Sequence, residues 1–201
     1  MKATTIYFLC GWSAVILAVI GAYSQQQRAR RVSIEGISLA TWIMFTEMGV
    51  FWILYGCFAH SWQAIMGSLL ILPLQIDVIM RLKFWDDWKT VAKSSVFIFV
   101  TCVLPALLWG WSGGIYGTAF AMVINRSPQL IKLIKVRDAT GVSEAYWLNA
   151  VIASVLWVTY YLGSDYLAAG VATICSGTTN VFILYLAWLR HRQFEKMNQS
   201  N

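Results

Sequence analysis

The sequence predicts an all-α integral membrane protein with seven transmembrane helices, built as two parallel three-helix-bundle repeats joined by a linker helix. Three observations predict this fold. Of the 201 residues, 59% are hydrophobic and only 12% are charged, whereas soluble domains carry about 25% charge. Seven apolar runs are long enough to cross a bilayer core of about 30 Å. A register of matching residues relates the first three runs to the last three.

The seven runs follow one another with short connections. A spanning helix needs about 20 mostly apolar residues, and the runs that meet this need are residues 5–24, 37–58, 63–80, 94–111, 115–134, 145–162 and 166–190. We expect the chain to turn at residues 111–114 between the fourth and fifth spans.

Basic residues fall on alternate connections. They follow the first, third, fifth and seventh spans: Arg28, Arg30, Arg31, Arg81, Lys83, Lys89, Lys93, Lys132, Lys135, Arg137, Arg190, Arg192 and Lys196. The other connections carry no Lys or Arg, and only Lys2 lies on their side. The positive-inside rule therefore predicts an outside N-terminus and a cytoplasmic C-terminus, in the plasma membrane. The net charge of +6 is explained by these loops, so we expect no nucleic-acid partner.

One constant offset of 105 positions relates two parts of the chain. It pairs residues of the second span with the sixth, and extends to the third and seventh: Gly36 with Gly141, Ser38 with Ser143, Trp42 with Trp147, Trp52 with Trp157, Tyr55 with Tyr160, Ser68 with Thr173, and Gln75 with Asn180. Each repeat has an odd number of spans, so a linker helix is needed to make the copies parallel. The predicted units are residues 1–84, the linker 85–112, the second repeat 113–192 and a tail 193–201.

The second repeat also carries a family motif. The stretch SPQLIKLIKVRDATGVS, from Ser127 to Ser143, resembles the PQ-loop signature. The 3+1+3 layout is similar to that of SWEET sugar transporters, and each repeat resembles one SemiSWEET protomer. The resemblance implies alternating-access transport of a small polar solute, a sugar first of all, without ATP or another cofactor. Relatives of this fold also include proton-coupled amino-acid exporters and a receptor that does not transport.

Pro128 and Gln129 form the Pro-Gln pair of this motif. A proline inside a helix removes one backbone donor and bends the helix. The resemblance makes Pro128 a hinge that Gln129 braces; a static kink is the alternative. The offset sets Tyr23 and Ser24 against this pair, so we expect the second half to bend more.

Trp52 and Trp157 are the leading candidates for a binding site. A tryptophan near a helix end is often an interfacial anchor, whereas the resemblance implies two rings that face a central cavity and stack on a sugar. Tyr55 and Tyr160 follow three residues later, on nearly the same helix face, and favour the cavity. The resemblance implies that these tyrosines help to close an outer gate.

Five polar residues are further candidates for the cavity. Ser68 and Thr173 fall where the resembled family has pocket asparagines, and a hydroxyl offers fewer donors and acceptors than a carboxamide. Gln75 and Asn180 offer paired carboxamides, and Asn149 lies within about 80° of Trp157 on the helix wheel. For each of them a helix–helix hydrogen bond is the alternative.

Three ionisable residues at membrane depth are candidate functional sites, because charge is costly there. Asp77 can pair with Arg81 one turn later, and Arg126 can extend to the interface. Glu47 has no such partner in its own helix and could exchange protons, or it could bond to another helix while protonated.

No catalytic constellation, zinc spacing or phosphate loop is visible, so we expect neither an enzyme nor a metal site. The leading prediction is a transporter whose partners are a small solute and the bilayer, with homo-oligomers possible. The alternatives are a proton-coupled carrier of an amino acid or other charged solute, and a non-transporting receptor or scaffold of the same fold.

Overall fold

The computed structural model describes residues 3–136, 138–164 and 166–199; Lys2, Arg137 and Asp165, part of the predicted loop pattern, lie outside them. Eight α-helices are described: α1 (Ala3–Arg31), α2 (Leu39–Phe58), α3 (Trp62–Arg81), α4 (Trp88–Ile98), α5 (Leu104–Ile124), α6 (Ser127–Lys135), α7 (Glu144–Gly163) and α8 (Leu167–Gln199). A 3-10 turn (Phe84–Asp87) precedes α4, and a π-helical turn (Phe99–Val103) joins α4 to α5. The predicted tail at 193–201 continues α8 as far as Gln199.

The outer surface of the bundle is apolar. Among the described residues, six helical segments are long and apolar enough to cross a membrane. Large apolar side chains point away from the protein along them, as at Ile16 (58% exposed), Leu107 (71%) and Val155 (63%). A helix that is apolar all round belongs in a protein core or in lipid. The apolar side chains of these segments are exposed on the outer surface of the bundle, which is the position of lipid-facing residues. The fold is therefore that of an all-α protein embedded in a membrane.

One of the six segments, Phe84–Lys135, is 52 residues long and would be about 78 Å long as one straight helix. It folds back on itself instead. Trp109 has a φ of −125° and Gly110 a φ of +70°, a value that glycine adopts without steric cost. The ring centroids of Phe97 and Phe120, one from each leg, are 6.5 Å apart. The predicted turn at 111–114 is thus wrong by a few residues, because the chain reverses at its positive-φ glycine.

The two legs of this hairpin approach closely at Gly117. Pro105 has no N–H, so the carbonyl of Thr101, four residues earlier, loses its helical donor. A Cβ on Gly117 would overlap the Thr101 carbonyl oxygen. Only glycine therefore allows the second leg to lie against this widened turn of the first.

Serines begin three of the helices. Ser38 accepts a hydrogen bond from the N–H of Thr41 at the start of α2, and Ser143 accepts one from Tyr146 at the start of α7. Ser61 does the same for Ala64 in α3. Such caps satisfy backbone donors that the first helical turn leaves free, so the polar breaks between apolar runs fix where these helices start.

Two units are named here after the predicted repeats. In the first unit (α1–α3), α3 packs against both α1 and α2; in the second unit (α5–α8), α8 packs against α5, α6 and α7. Across the boundary α1 packs against α7, and α2 packs against α6 and α4. The main core lies in this boundary, around Trp42 and Trp147, each only 1% exposed.

The first helices of the two units differ in shape. Helix α1 runs without interruption for 29 residues. The corresponding chain of the second unit is broken at Asn125 and Arg126, directly before Pro128, where α5 ends and α6 begins. Asn125 and Arg126 keep right-handed helical dihedrals, so this break interrupts the helix, and the expectation that the second half bends more stays a prediction.

Candidate functional site: a cavity between the two units

A cavity of about 480 Å³ lies between the two units. In one direction the lining reaches Ser61, in the α2–α3 connection, and Tyr166, in the α7–α8 connection. We call this end of the cavity the aromatic end. In the other direction the lining stops at Gln75, Arg126 and Asn180. Beyond them lie the loops before α2 and α7, at the end we call the basic end.

Two matched aromatic pairs line the cavity. Trp52 and Tyr55 of α2 meet edge to face, with ring centroids 5.7 Å apart and planes at 79°. Trp157 and Tyr160 of α7 meet in the same way, at 5.6 Å and 76°. All four residues lie on the cavity wall. The structure therefore brings together the four aromatic residues that the sequence singles out, one pair from each unit.

The predicted polar residues of α3 and α8 also line the cavity, namely Ser68, Gln75, Thr173 and Asn180. Thr173 donates to the carbonyl oxygen of Ala169 over 2.7 Å, within its own helix. Asn180 donates to Ser154 Oγ over 3.2 Å. These hydroxyl and carboxamide groups therefore place hydrogen-bonding atoms on the cavity wall.

Arg126 forms part of the floor of the cavity. Its Nε donates to Asn180 Oδ1 over 2.7 Å, and its Nη1 donates to the Met122 carbonyl and to Asn125 Oδ1 over 3.0 and 2.9 Å. The guanidinium also lies 5.2 Å from the centroid of the Phe45 ring. Every one of these contacts is to a neutral group. The break between α5 and α6 thus directs a cation into the cavity.

Two glutamines close the basic end by reciprocal bonds. Gln129 donates to the carbonyl of Gly36 over 2.7 Å and accepts from the N–H of Ser38 over 2.8 Å. Gln25 donates to the carbonyl of Gly141 and accepts from the N–H of Ser143 over the same two distances. Each side chain is 1% exposed. The first helix of each unit therefore holds the loop of the other unit.

The two loops also contact each other directly. The N–H of Gly141 donates to the carbonyl of Glu35 over 3.0 Å, and a Cβ on Gly36 would lie 2.8 Å from Ala139 Cα. On the rim, Arg28 donates to the carbonyl of Thr140 over 2.6 Å. In this conformation the basic end is sealed.

Gln25 is a residue of the site that the repeat offset does not identify. The offset of 105 sets Ser24 against Gln129, but Gln25 makes the matching bonds. Between glutamine and capping serine there are 13 positions in the first unit (25 to 38) and 14 in the second (129 to 143). The offset therefore changes by one residue before the loops. A search that allows one gap there would find the pair.

Several other candidates lie away from the cavity. Asn149 donates to the carbonyl of Ala145 in its own helix and sits beside Gly21 of α1. Asp77 forms ion pairs with Arg30 at 2.9 Å and with Arg81 at 3.1 Å. Glu47 accepts a hydrogen bond from Ser95 of α4 through Oε1, and its Oε2 has no partner among the described residues.

Tyr161 is a cavity residue that the sequence reading did not select. It stacks on Trp157, with centroids 5.4 Å apart and planes at 19°, and it has no aromatic counterpart at Gly56, 105 positions earlier. Searching for matched pairs cannot find a residue that only one unit carries.

No protein-family model matches the chain, and no curated protein matches its sequence. The resemblance to the PQ-loop and SWEET transporters therefore stays a prediction.

Proposed function

We propose that the chain is a transporter that carries a small polar solute, a sugar being the first candidate, across a membrane by alternating access and without ATP. The observation that carries this proposal is the cavity itself. It lies between two units and is walled by one Trp–Tyr pair from each. The packed core around Trp42 and Trp147, the two glutamine clamps and the loop contacts lie at its basic end.

The proposed architecture is seven spans in a 3+1+3 order, with two related units. Three features support it: the reversal at Gly110 that divides one long segment, the middle position of α3 and α8 within their units, and the crossed contacts of α1 with α7 and of α2 with α6. We place the protein in the plasma membrane. The positive-inside rule then directs its basic end to the cytoplasm.

The wall chemistry supports a sugar. The flat face of an aromatic ring suits the C–H face of a hexose, and buried carboxamides and hydroxyls suit its hydroxyl groups. Trp52 and Trp157 would supply the faces, and Gln75 and Asn180 the polar contacts. Tyr55 and Tyr160 would close the aromatic end as the basic end opens, with the break before Pro128 as the hinge.

Proton coupling through Glu47 has less support. Its carboxyl contacts α4 rather than the cavity, so a proton gained or lost there does not reach a solute directly. Uptake that follows an imposed pH gradient and is lost in Glu47→Gln would favour the proton-coupled carrier instead. A receptor or scaffold role remains the other alternative, and solute flux through purified protein would exclude it as the main role.

The test is uptake of labelled glucose and sucrose into liposomes that hold the purified chain. We expect saturable uptake of at least one sugar, and we expect Trp157→Ala to reduce it at least tenfold, equivalent to about 1.4 kcal/mol. Trp88→Ala is the matched control, because Trp88 is 68% exposed and lies outside the cavity. Equal losses in both variants, or no loss in Trp157→Ala with the protein folded, would contradict the cavity as the solute site.

A further inference from the structure

Arg126 is a cation without a carboxylate. Within the described part of the chain, no Asp or Glu lies within 4.0 Å of its guanidinium. Other carboxyls of the described residues have partners of their own: Asp77 binds two arginines, and Glu144 binds His191. Glu47 binds Ser95 on the far side of α2. The charge of Arg126 is therefore not neutralised by a neighbouring side chain.

The guanidinium also keeps free donors. It has five N–H groups, and its contacts use the one on Nε and the two on Nη1. Its Nη2 makes no hydrogen bond to the described residues, and this atom is not among the buried ones that lack a partner. Two donors thus remain available where the side chain lines the cavity.

A lone cation in an apolar wall is costly unless an anion compensates it. Arginine is well suited to this role, since its planar donors match carboxylate and phosphate oxygens. Among the described residues that line the cavity, Arg126 is the one Lys, Arg, Asp or Glu. The aromatic walls, the carboxamides and the single cation together define a site with a stacking region and one anionic subsite.

We infer that the transported solute carries an anionic group, a carboxylate or a phosphate, which binds Arg126 on the floor of the cavity while its polyol or ring portion lies between Trp52 and Trp157. This inference rests on the proposed function and names the substrate class of the same site.

Three probes share one hexopyranose ring and differ at C6: glucose, glucuronate and glucose 6-phosphate. Their binding to the purified full chain is measured by calorimetry. We expect at least one of the two anions to bind ten times more tightly than glucose, and the better of them identifies carboxylate or phosphate. Arg126→Gln should remove this advantage, so that the ratio of anion affinity to glucose affinity in the variant falls to about one, and Arg126→Lys should restore part of that ratio.

Arg190→Gln is the matched control, because Arg190 binds the carbonyls of Leu133 and Ile134 away from the cavity. Glucose binding as tight as that of both anions overturns the inference, as does an anion advantage that survives Arg126→Gln, or no anion binding at all. Trp157-dependent glucose uptake alongside any of these results leaves the transporter intact. The same three probes are also offered to liposomes that hold the purified chain, and if none of them is taken up, it is the proposed function that fails.

Discussion

The loops before α2 and α7 are held by the same pair of hydrogen bonds, yet the helices that supply the two glutamines are built differently. Gln25 comes from a helix that is continuous over 29 residues. Gln129 comes from a short helix that begins after a break. The clamp is symmetric, whereas the helix break before Pro128 and the cavity cation Arg126 belong to the second unit only. The comparison separates what closes the basic end from what distinguishes the two units.

The glycines of the two loops should give the largest effects on stability. A Cβ on Gly36 would lie 2.8 Å from Ala139 Cα at a φ of +79°, and a Cβ on Gly141 would lie 2.7 Å from the Glu35 carbonyl oxygen. We expect Gly36→Ala and Gly141→Ala each to cost roughly 3 kcal/mol from strain and overpacking. Thermal unfolding in detergent measures this.

Gly49→Ala is the control for these two, since its Cβ would meet nothing nearer than 3.8 Å. A large loss in one loop variant and none in the other would mean that the two loops are not equivalent in the fold.

The glutamines should give smaller but equal effects. Gln25→Ala leaves the N–H of Ser143 and the carbonyl of Gly141 without a partner, and Gln129→Ala does the same to Ser38 and Gly36. A buried unsatisfied group costs about 1–3 kcal/mol and each variant leaves two, so at the lower end of this range we expect about 2 kcal/mol in each variant. The measurement is again the unfolding temperature.

Gln27→Ala provides the reference, because among the described residues the side chain of Gln27 bonds only to the neighbouring Gln26. Unequal losses of stability in Gln25→Ala and Gln129→Ala would show that the two pairs of hydrogen bonds differ in strength although their distances match.

Pro128 should have the smallest effect on stability. It lies in the first turn of α6, where a helix needs no N–H from that residue. We expect Pro128→Ala to change the free energy of unfolding by no more than about 1 kcal/mol, while sugar uptake falls about tenfold if the break is the hinge. Unfolding curves measure the effect of the substitution on stability, and uptake by proteoliposomes measures its effect on transport. Ser127→Ala is the neighbouring control, and unchanged uptake in Pro128→Ala would make the break a static kink.

Much of the fold could be predicted, because a spanning helix needs about 20 apolar residues and the basic residues collect in the loops on one side of the membrane. The offset of 105 also identified residues in matching environments: Ser38 and Ser143 both cap helices, and Trp52 and Trp157 both line the cavity. Each such residue keeps its chemistry in both units, which is why a sequence comparison finds it.

The misses have physical causes. Gln25 was hidden by a one-residue difference in loop length. The reversal at Gly110 lies inside an apolar stretch with no polar break to mark it, so composition alone could not locate it. On the helix wheel Asn149 lies on the same side of α7 as Trp157. Its carboxamide nevertheless donates to the carbonyl of Ala145 in the same helix, and a helix wheel cannot show such a bond. The site residues that only one unit carries, such as Tyr161, lie beyond any argument from symmetry.

The crossed clamps also impose an order on biosynthesis. Their hydrogen bonds join residues 91 to 118 positions apart in the chain, so neither is a local contact. The loop before α2 leaves the ribosome long before Gln129 exists, and Gln25 must wait for Ser143. Since chains emerge N-terminus first, the first three helices are inserted with their loop amides and carbonyls still without these partners. Both clamps can therefore be complete only after the ribosome has begun to synthesise the last third of the chain.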